Sequence, residues 1–470
     1  MRAAGEIIGR RSAVFSGITG RPYGILDKDD AHSLSSVGSR QGVEELLEEV
    51  VCEPKTREVV PHSQRSHETL RAALRVPLPG EEIVTSQVRS FLASRFELPH
   101  SSGRIVPFEG LRGFAILLVF FVHFGALFGK RLEAGTFLSR ATAFAEGMGH
   151  AGVEVFFFLS GFLIYGIVMR DRFQLGSYLS RRFWRLYPTF LTVTAAILAV
   201  YWIFPQASKL PSIALGKSLY ILSNLAMLPG VFDIEPLTAP AWSLSYEMVF
   251  YVTLPLIIAA LGIRRWAWWH RIVFFVSLAA IHALLNVVGV DGKVRFIMFA
   301  AGISLCEISR NCQPAEKLNS WGESAAILAF AANLAAIGIA FSGVVPTTLA
   351  WVLYSLSLFV TVFFLVLHAV FFDGILRKFF SLDYLRWLGN MSYSYYLIHG
   401  ITIHGIEMVM DSRFAGIPRT VFWFVIAFGV SVIGSVGMGA LLFLGVEKPF
   451  SLAPHAKAVK QPIAAAVQVE

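Results

Sequence analysis

From about residue 110 onward the chain alternates long apolar runs with short polar gaps rich in arginine. Each run approaches the ~20 residues that an α-helix needs to cross the hydrocarbon core of a bilayer. The pattern predicts ten spans, near 111–128, 152–169, 187–204, 244–262, 272–289, 294–309, 323–342, 348–371, 391–410 and 420–444. A further apolar segment at 213–228 is short and flanked by proline, so it is expected to be re-entrant or interfacial. The fold class expected is all-α, a polytopic integral membrane protein with about ten transmembrane helices. The first hundred residues have another texture. Residues 1–60 are rich in Gly, Ser, Arg and acids, a composition expected to stay largely disordered, with two helical turns at 43–51 (VEELLEEVV). Residues 83–98 (IVTSQVRSFLASRFEL) place apolar side chains at helical spacing and predict an amphipathic helix. The domains expected are an N-terminal cytoplasmic extension over 1–100, a ten-span body over 104–450 and a short cytoplasmic tail over 451–470.

Composition agrees with that division. Hydrophobic residues make up 55% of the 470 and charged residues only 15%, against about 25% charged in soluble domains. The first hundred residues carry 13 basic and 14 acidic side chains, the rest 27 and 18, so the basic surplus belongs to the membrane body. There it reports orientation rather than a nucleic-acid-binding face. With the N-terminus inside, the cytoplasmic gaps hold 16 Lys and Arg and the opposite gaps 8. Both termini are therefore expected in the cytoplasm, with the body in the cell (inner) membrane and lipids as its neighbours. The start, MRAAGEIIGRRSAVFSG, has no apolar core of signal-peptide length. Cys52, Cys306 and Cys312 form no disulfide framework and no Cys/His metal spacing, so no metal is expected.

Ionisable groups inside a span cost roughly 3 kcal/mol each on insertion scales, so each needs a reason. The first span, FEGLRGFAILLVFFVHFG, carries Arg112 and His123. Eleven helical steps turn about 1100°, some 20° past three full circles, which puts both on one face about 16 Å apart. Arginine forks onto phosphate oxygens. An imidazole takes a proton from a hydroxyl or is itself acylated. With Arg112 at the cytoplasmic mouth and His123 deeper, the pair suits a long anionic donor whose flexible arm reaches the histidine. The plainer reading is a snorkelling arginine and a buried, hydrogen-bonded histidine.

The remaining segments favour the chemical reading. FEGLRGFAILLVFFVH is followed by GHAGVEVFFFLSGFLI, SYLSRRFWRLYP, APAWSLSYEMVFYVTLPL, LGNMSYSYYLIHG and VEKPF. In this order, over roughly 104–450, the chain resembles acyltransferase family 3, membrane O-acyltransferases that modify saccharides, some lipids and antibiotics. The resemblance implies transfer of an acyl group, most simply acetyl from acetyl-CoA, onto a hydroxyl of a carbohydrate or glycosylated acceptor. Acyl-CoA is then a donor substrate, and no cofactor is bound permanently. By position, the family's arginine-x10-histidine pair falls on Arg112 and His123, its following acid on Glu154 and its basic element on Arg182 and Arg185. Its tryptophan-serine motif falls on Trp242, Ser243 and Glu247, and its late histidine on His399. The resemblance thus implies catalytic His123, Glu154 and His399, donor-binding Arg112, Arg182 and Arg185, and acceptor-binding Trp242, Ser243 and Glu247. Glu109 stands where the motif usually has aspartate, and Met248 where a second acid is common. Glu247 and Arg295 are both expected near outer span ends, where they could neutralise one another. His282, His404 and Glu407 lie in no motif and are read as structural.

Two other classes of function compete. A secondary transporter of a sugar or organic acid also needs many spans and intramembrane charges, but transporters usually carry internal repeats, and the first-span motif does not recur in the second half. A membrane scaffold gains nothing from burying Arg112 and His123.

Overall fold

The computed structural model describes residues 79–98, 105–205, 208–211, 213–287, 296–340, 348–413 and 420–452. The stretch expected to be disordered, the turns at 43–51 and Arg295 lie outside the described residues. By its internal contacts the chain divides into Met1–Glu82 and Ile83–Glu470, and all ten apolar runs fall in the second unit. The described residues of that unit are helical, with a single isolated bridge between Pro229 and Phe232 in place of any strand.

The helices are α1 (Pro79–Phe96), α2 (Val106–Phe128), α3 (Phe137–Gly149), α4 (Ala151–Val168), α5 (Leu175–Ile203), α6 (Ala214–Leu225), α7 (Ala241–Ala260) and α8 (Trp268–Val287). They continue with α9 (Phe296–Asn311), α10 (Ser320–Ile339), α11 (Thr348–Phe371), α12 (Ile375–Phe380), α13 (Asp383–Asn390), α14 (Ser392–Arg413) and α15 (Val421–Leu442). Pro107 stands in the first turn of α2, where its missing N–H leaves no bond unmade. Thr136, Asn319 and Thr420 start α3, α10 and α15 by accepting from the backbone N–H three residues on. At its far end α15 widens into a π-helical stretch, Phe443–Leu452.

Eight helical segments among the described residues are long and apolar enough to cross a membrane: Val106–Arg131, Phe137–Val168, Leu175–Ile203, Ala241–Ala260, Trp268–Leu285, Ser320–Ile339, Leu353–Phe371 and Val421–Leu452. They correspond to eight of the ten runs read from the sequence. The other two are helices of a different kind. Only 16 residues of α9 are described, and it is buried from Ile297 through Glu307. The 22 residues of α14 include His399, His404, Glu407, Asp411 and Arg413, and it buries eight side chains. α14 is the less enclosed of the two, since Ile401, Met408 and Val409 are exposed. The segment at 213–228 forms the 12-residue α6, about 18 Å long and too short to span. In α1 the mid-helix apolar residues Val88 and Phe91 remain exposed, so the expected apolar face is not what holds it. Its last turn is.

Backbone contacts set the spacing of the body. A Cβ on Gly302 of α9 would lie 2.1 Å from the Phe158 carbonyl oxygen of α4, and one on Gly389 of α13 would lie 1.7 Å from the Glu109 carbonyl oxygen of α2. Around these crossings runs one large apolar core, while Phe120, Phe124 and Phe128 of α2 pack with Ile403, Met410, Trp423 and Ala427 of α14 and α15 in a second. Because Gly389 meets backbone, which cannot step aside, Gly389→Ala should cost about 1–3 kcal/mol or more as overpacking does. Gly437→Ala, with nothing within 4 Å of the added carbon, should leave the thermal midpoint in detergent unchanged.

Candidate active site

Five helices converge on a cavity of about 120 Å³. Arg112 enters it from α2, Arg182 and Arg185 from α5, Ser243, Glu247 and Tyr251 from α7, and Ser392, Tyr393 and Tyr396 from α14. From α4 come Val153, Phe156, Phe157 and Ser160, one helix face by their spacing. Arg112 stands six residues, about 9 Å, inside its helix, and Glu247 the same distance inside α7. Glu247 thus shares a cavity wall with the three arginines, while Arg295, the other residue expected near an outer span end, lies outside the described residues.

The cavity holds three guanidinium groups and one carboxylate. Arg185 pairs with Glu447, which is fully buried on the π-helical stretch and also accepts from the Ser394 N–H at 3.0 Å and the Ser394 hydroxyl at 2.5 Å. The Tyr393 ring lies 5.6 Å beneath the Arg185 guanidinium. Arg182 lies 5.9 Å from the ring centres of both Tyr178 and Tyr251, and its Nε finds no hydrogen-bond partner among the described residues. Glu247 accepts from the Ser160 hydroxyl and acts electrostatically on Arg112 and Arg182. With Glu447 committed to Arg185, the cavity wall offers Arg112 and Arg182 the single carboxylate of Glu247. The lining itself carries more positive than negative charge, with Glu109 acting on Arg112 from outside it, in a low-dielectric place where charge acts strongly, so the wall can hold an anion.

Beside it stands a histidine pair. The rings of His123 and His399 meet edge to face with centroids 4.7 Å apart. His399 is fully buried. Its Nδ1 lies 2.8 Å from the Tyr396 carbonyl and 3.1 Å from the Tyr395 carbonyl. A carbonyl only accepts, so Nδ1 carries the proton and the neutral ring keeps its lone pair on Nε2, which no group among the described residues engages. His123 is half-buried. Tyr396 joins the two places: its ring lines the cavity, its hydroxyl lies 2.6 Å from Ser243 Oγ, and its carbonyl holds His399 one turn on.

The structure thus brings Arg112, Arg182, Arg185, Ser243 and Glu247 to one cavity, and His123 to His399 next to it. His123, eleven residues along the same helix from Arg112, is not among the residues that line this cavity. Glu154 is buried in the first turn of α4 outside the cavity lining, and Trp242 packs against Tyr246, 6.4 Å between ring centres. His404 and Glu407 join Arg131 in an ion-pair group two turns beyond the histidines. Glu447, Ser160 and Tyr396 were not singled out from the sequence. VEKPF and SYSYY were visible as motifs, but nothing local told which of their residues face inward.

The family described as "Acyltransferase domain" matches residues 106–439. The chain is 33% identical to the acyltransferase MdmB of Streptomyces mycarofaciens over 178 residues, 37% of this chain and 44% of that protein. It is 28% identical to nodulation protein 10 of Rhizobium leguminosarum bv. viciae over 181 residues, 36% and 47% of the two chains. With the peptidoglycan O-acetyltransferase OatA of Listeria monocytogenes it shares 26% identity over 360 residues, 69% and 54%. The chain spans about half the length of these curated relatives. No solved structure matches it.

Breaking a buried ion pair from one side leaves the other charge uncompensated, a loss of about 3–5 kcal/mol. Glu447→Ala should therefore lower the thermal midpoint sharply, whereas Glu447→Gln, which can still accept from Ser394, should lose less. Equal midpoints for both variants and the wild type would count against the pair.

Proposed function

Since the chain belongs to this family of membrane acyltransferases, which transfer groups other than amino-acyl groups, we propose that it moves an acetyl group from acetyl-CoA to a hydroxyl of a carbohydrate or glycosylated acceptor. The observation that carries the proposal is the surplus of guanidinium in a small cavity set one residue away from a pair of imidazoles. Arg112, Arg182 and Arg185 bind phosphate oxygens of the donor, for which planar forks are suited. Trp242, Ser243 and Glu247 serve the acceptor, with Ser243 also fastening Tyr396. Relatives whose names say O-acetyltransferase and peptidoglycan support a saccharide acceptor.

In the reaction the acceptor oxygen attacks the thioester carbonyl. His123 takes the hydroxyl proton, the carbon–sulfur bond breaks, and the leaving thiolate recovers that proton as coenzyme A. His399 has its Nδ1–H tied to the backbone, so it steadies the neighbouring ring. Glu154 is assigned to orienting the acceptor. The topology proposed has ten crossings, α9 and α14 adding two to the eight long apolar segments, with both ends of the chain in the cytoplasm and the body in the inner membrane.

The test is coenzyme A release and label transfer from radiolabelled acetyl-CoA with purified protein and a panel of saccharides. His123→Ala should lower the rate by about 10²–10⁴-fold, the usual worth of a general base. Arg182→Gln should raise KM for acetyl-CoA by about tenfold, the loss of one charge-assisted bond. Wild-type rates in His123→Ala would refute the assignment, and substrate counterflow without thioester cleavage would replace it with transport.

A further inference from the structure

The last turn of α1 lies outside residues 106–439, yet it holds α13 and the π-helical stretch, whose residues adjoin parts of the arginine cavity. Helix ends leave carbonyls without partners, and here the bundle supplies them. Asn390 Nδ2 donates to the Phe96 carbonyl at 3.0 Å, and Lys448 Nζ donates to the Arg95 carbonyl. The Phe96 ring stacks on Phe443 with centroids 5.9 Å apart. One residue further, Glu97 accepts from Arg386 at 2.6 Å, and the same guanidinium reaches Glu109 at 3.2 Å and Asp383 at 3.3 Å.

Each contact is a short step from the cavity. Lys448 follows Glu447, the partner of Arg185. Asn390 precedes Ser392 and Tyr393 by two and three residues. Glu109 shares a face of α2 with Arg112, one turn on. Arg386 is only 9% exposed and meets three carboxylates. A surface tether needs no buried cation. Burial pulls the Arg386 guanidinium down, but the Glu97 hydrogen bond and the Glu109 charge more than offset this and raise it above its ordinary range.

We propose that the turn at 94–97 is a built part of the anion site, with Arg386 as the positioning residue through which it sets where Arg112 stands, and Lys448 and Asn390 as those through which it sets Arg185 and Tyr393. The ligand class is the phosphorylated donor, so the proposal rests on the reading given above, and it makes donor affinity depend on a segment outside the family's matched region. Asp383 adds a second hold, since it also accepts from Arg89 of α1 at 2.7 Å.

The experiment compares full-length wild type, Glu97→Gln and Glu97→Asp by three measurements. Phenylglyoxal modification of Arg112 and Arg185, followed by mass spectrometry, reports the cavity without any turnover. Steady-state kinetics separates KM for acetyl-CoA from kcat, and the thermal midpoint reports folding. Glu97→Gln should change the modification rate and raise KM by about threefold to fivefold, the worth of one partly exposed charge contact, with kcat and midpoint held; Glu97→Asp should restore most of it. Unchanged modification and KM would overturn the proposal, as would losses that track the midpoint in both variants. If wild type cleaves no thioester, the acyltransfer reading fails, while the modification rates still decide whether α1 shapes the cavity.

Discussion

Guanidinium groups surrounded by hydrocarbon must be held, since each costs roughly 3 kcal/mol to place in a bilayer even on the milder scales. Much of the local architecture answers that demand. Arg185 is met by a carboxylate that is itself fixed by a backbone N–H and a hydroxyl of Ser394. Arg182 lies against two tyrosine rings, whose faces attract a cation in a dry setting. Glu447 reaches its place from a π-helical stretch, and such widened turns commonly occur at functional sites. Among the residues that line the cavity, three guanidinium groups face one carboxylate.

The second constraint is distance. Side chains as short as Glu109 and as stiff as His123 can serve the site only if their helices come very near the neighbours, and glycine at the crossings permits it. α2 is therefore pinned along its length. Gly389 of α13 presses on it at Glu109, Gly152 of α4 meets it at Ala115, and α14 meets it at His123. The helix that carries the arginine and the histidine has little freedom to slide, so the distance between the charged cavity and the imidazoles is fixed by packing rather than by the ligand.

How much of this the sequence discloses depends on what each signal measures. Apolar length reports the capacity to cross a bilayer, so it located the eight long apolar helices well and treated α9 and α14 like the rest, although the described part of α9 has 16 residues and α14 carries His399, His404, Glu407, Asp411 and Arg413. Spacing along one helix tells which residues share a face. It put Arg112 and His123 together, and also Arg182 and Arg185. It is silent on which faces of two helices meet, and so the contact between His123 and His399, the placing of Glu247 beside the arginines and the capture of Arg185 by Glu447 appear only in three dimensions. The π-helical turn adds a further obstacle, because it shifts the phase on which any reading of 443–452 at 3.6 residues per turn relies.

Separating charge from imidazole has a chemical logic. Phosphate groups need fixed positive charge, whereas a proton acceptor needs a lone pair that nothing else occupies. Both demands are hard to meet in a single cavity lined by donors. Here Tyr396 stands between them, its hydroxyl engaged with Ser243 and its carbonyl with His399. The charged cavity and the histidine pair are thus joined by one residue that touches both. On the acyltransfer reading, the donor's phosphates occupy the cavity, and its flexible arm has to bridge the distance to the ring that receives the acceptor's proton.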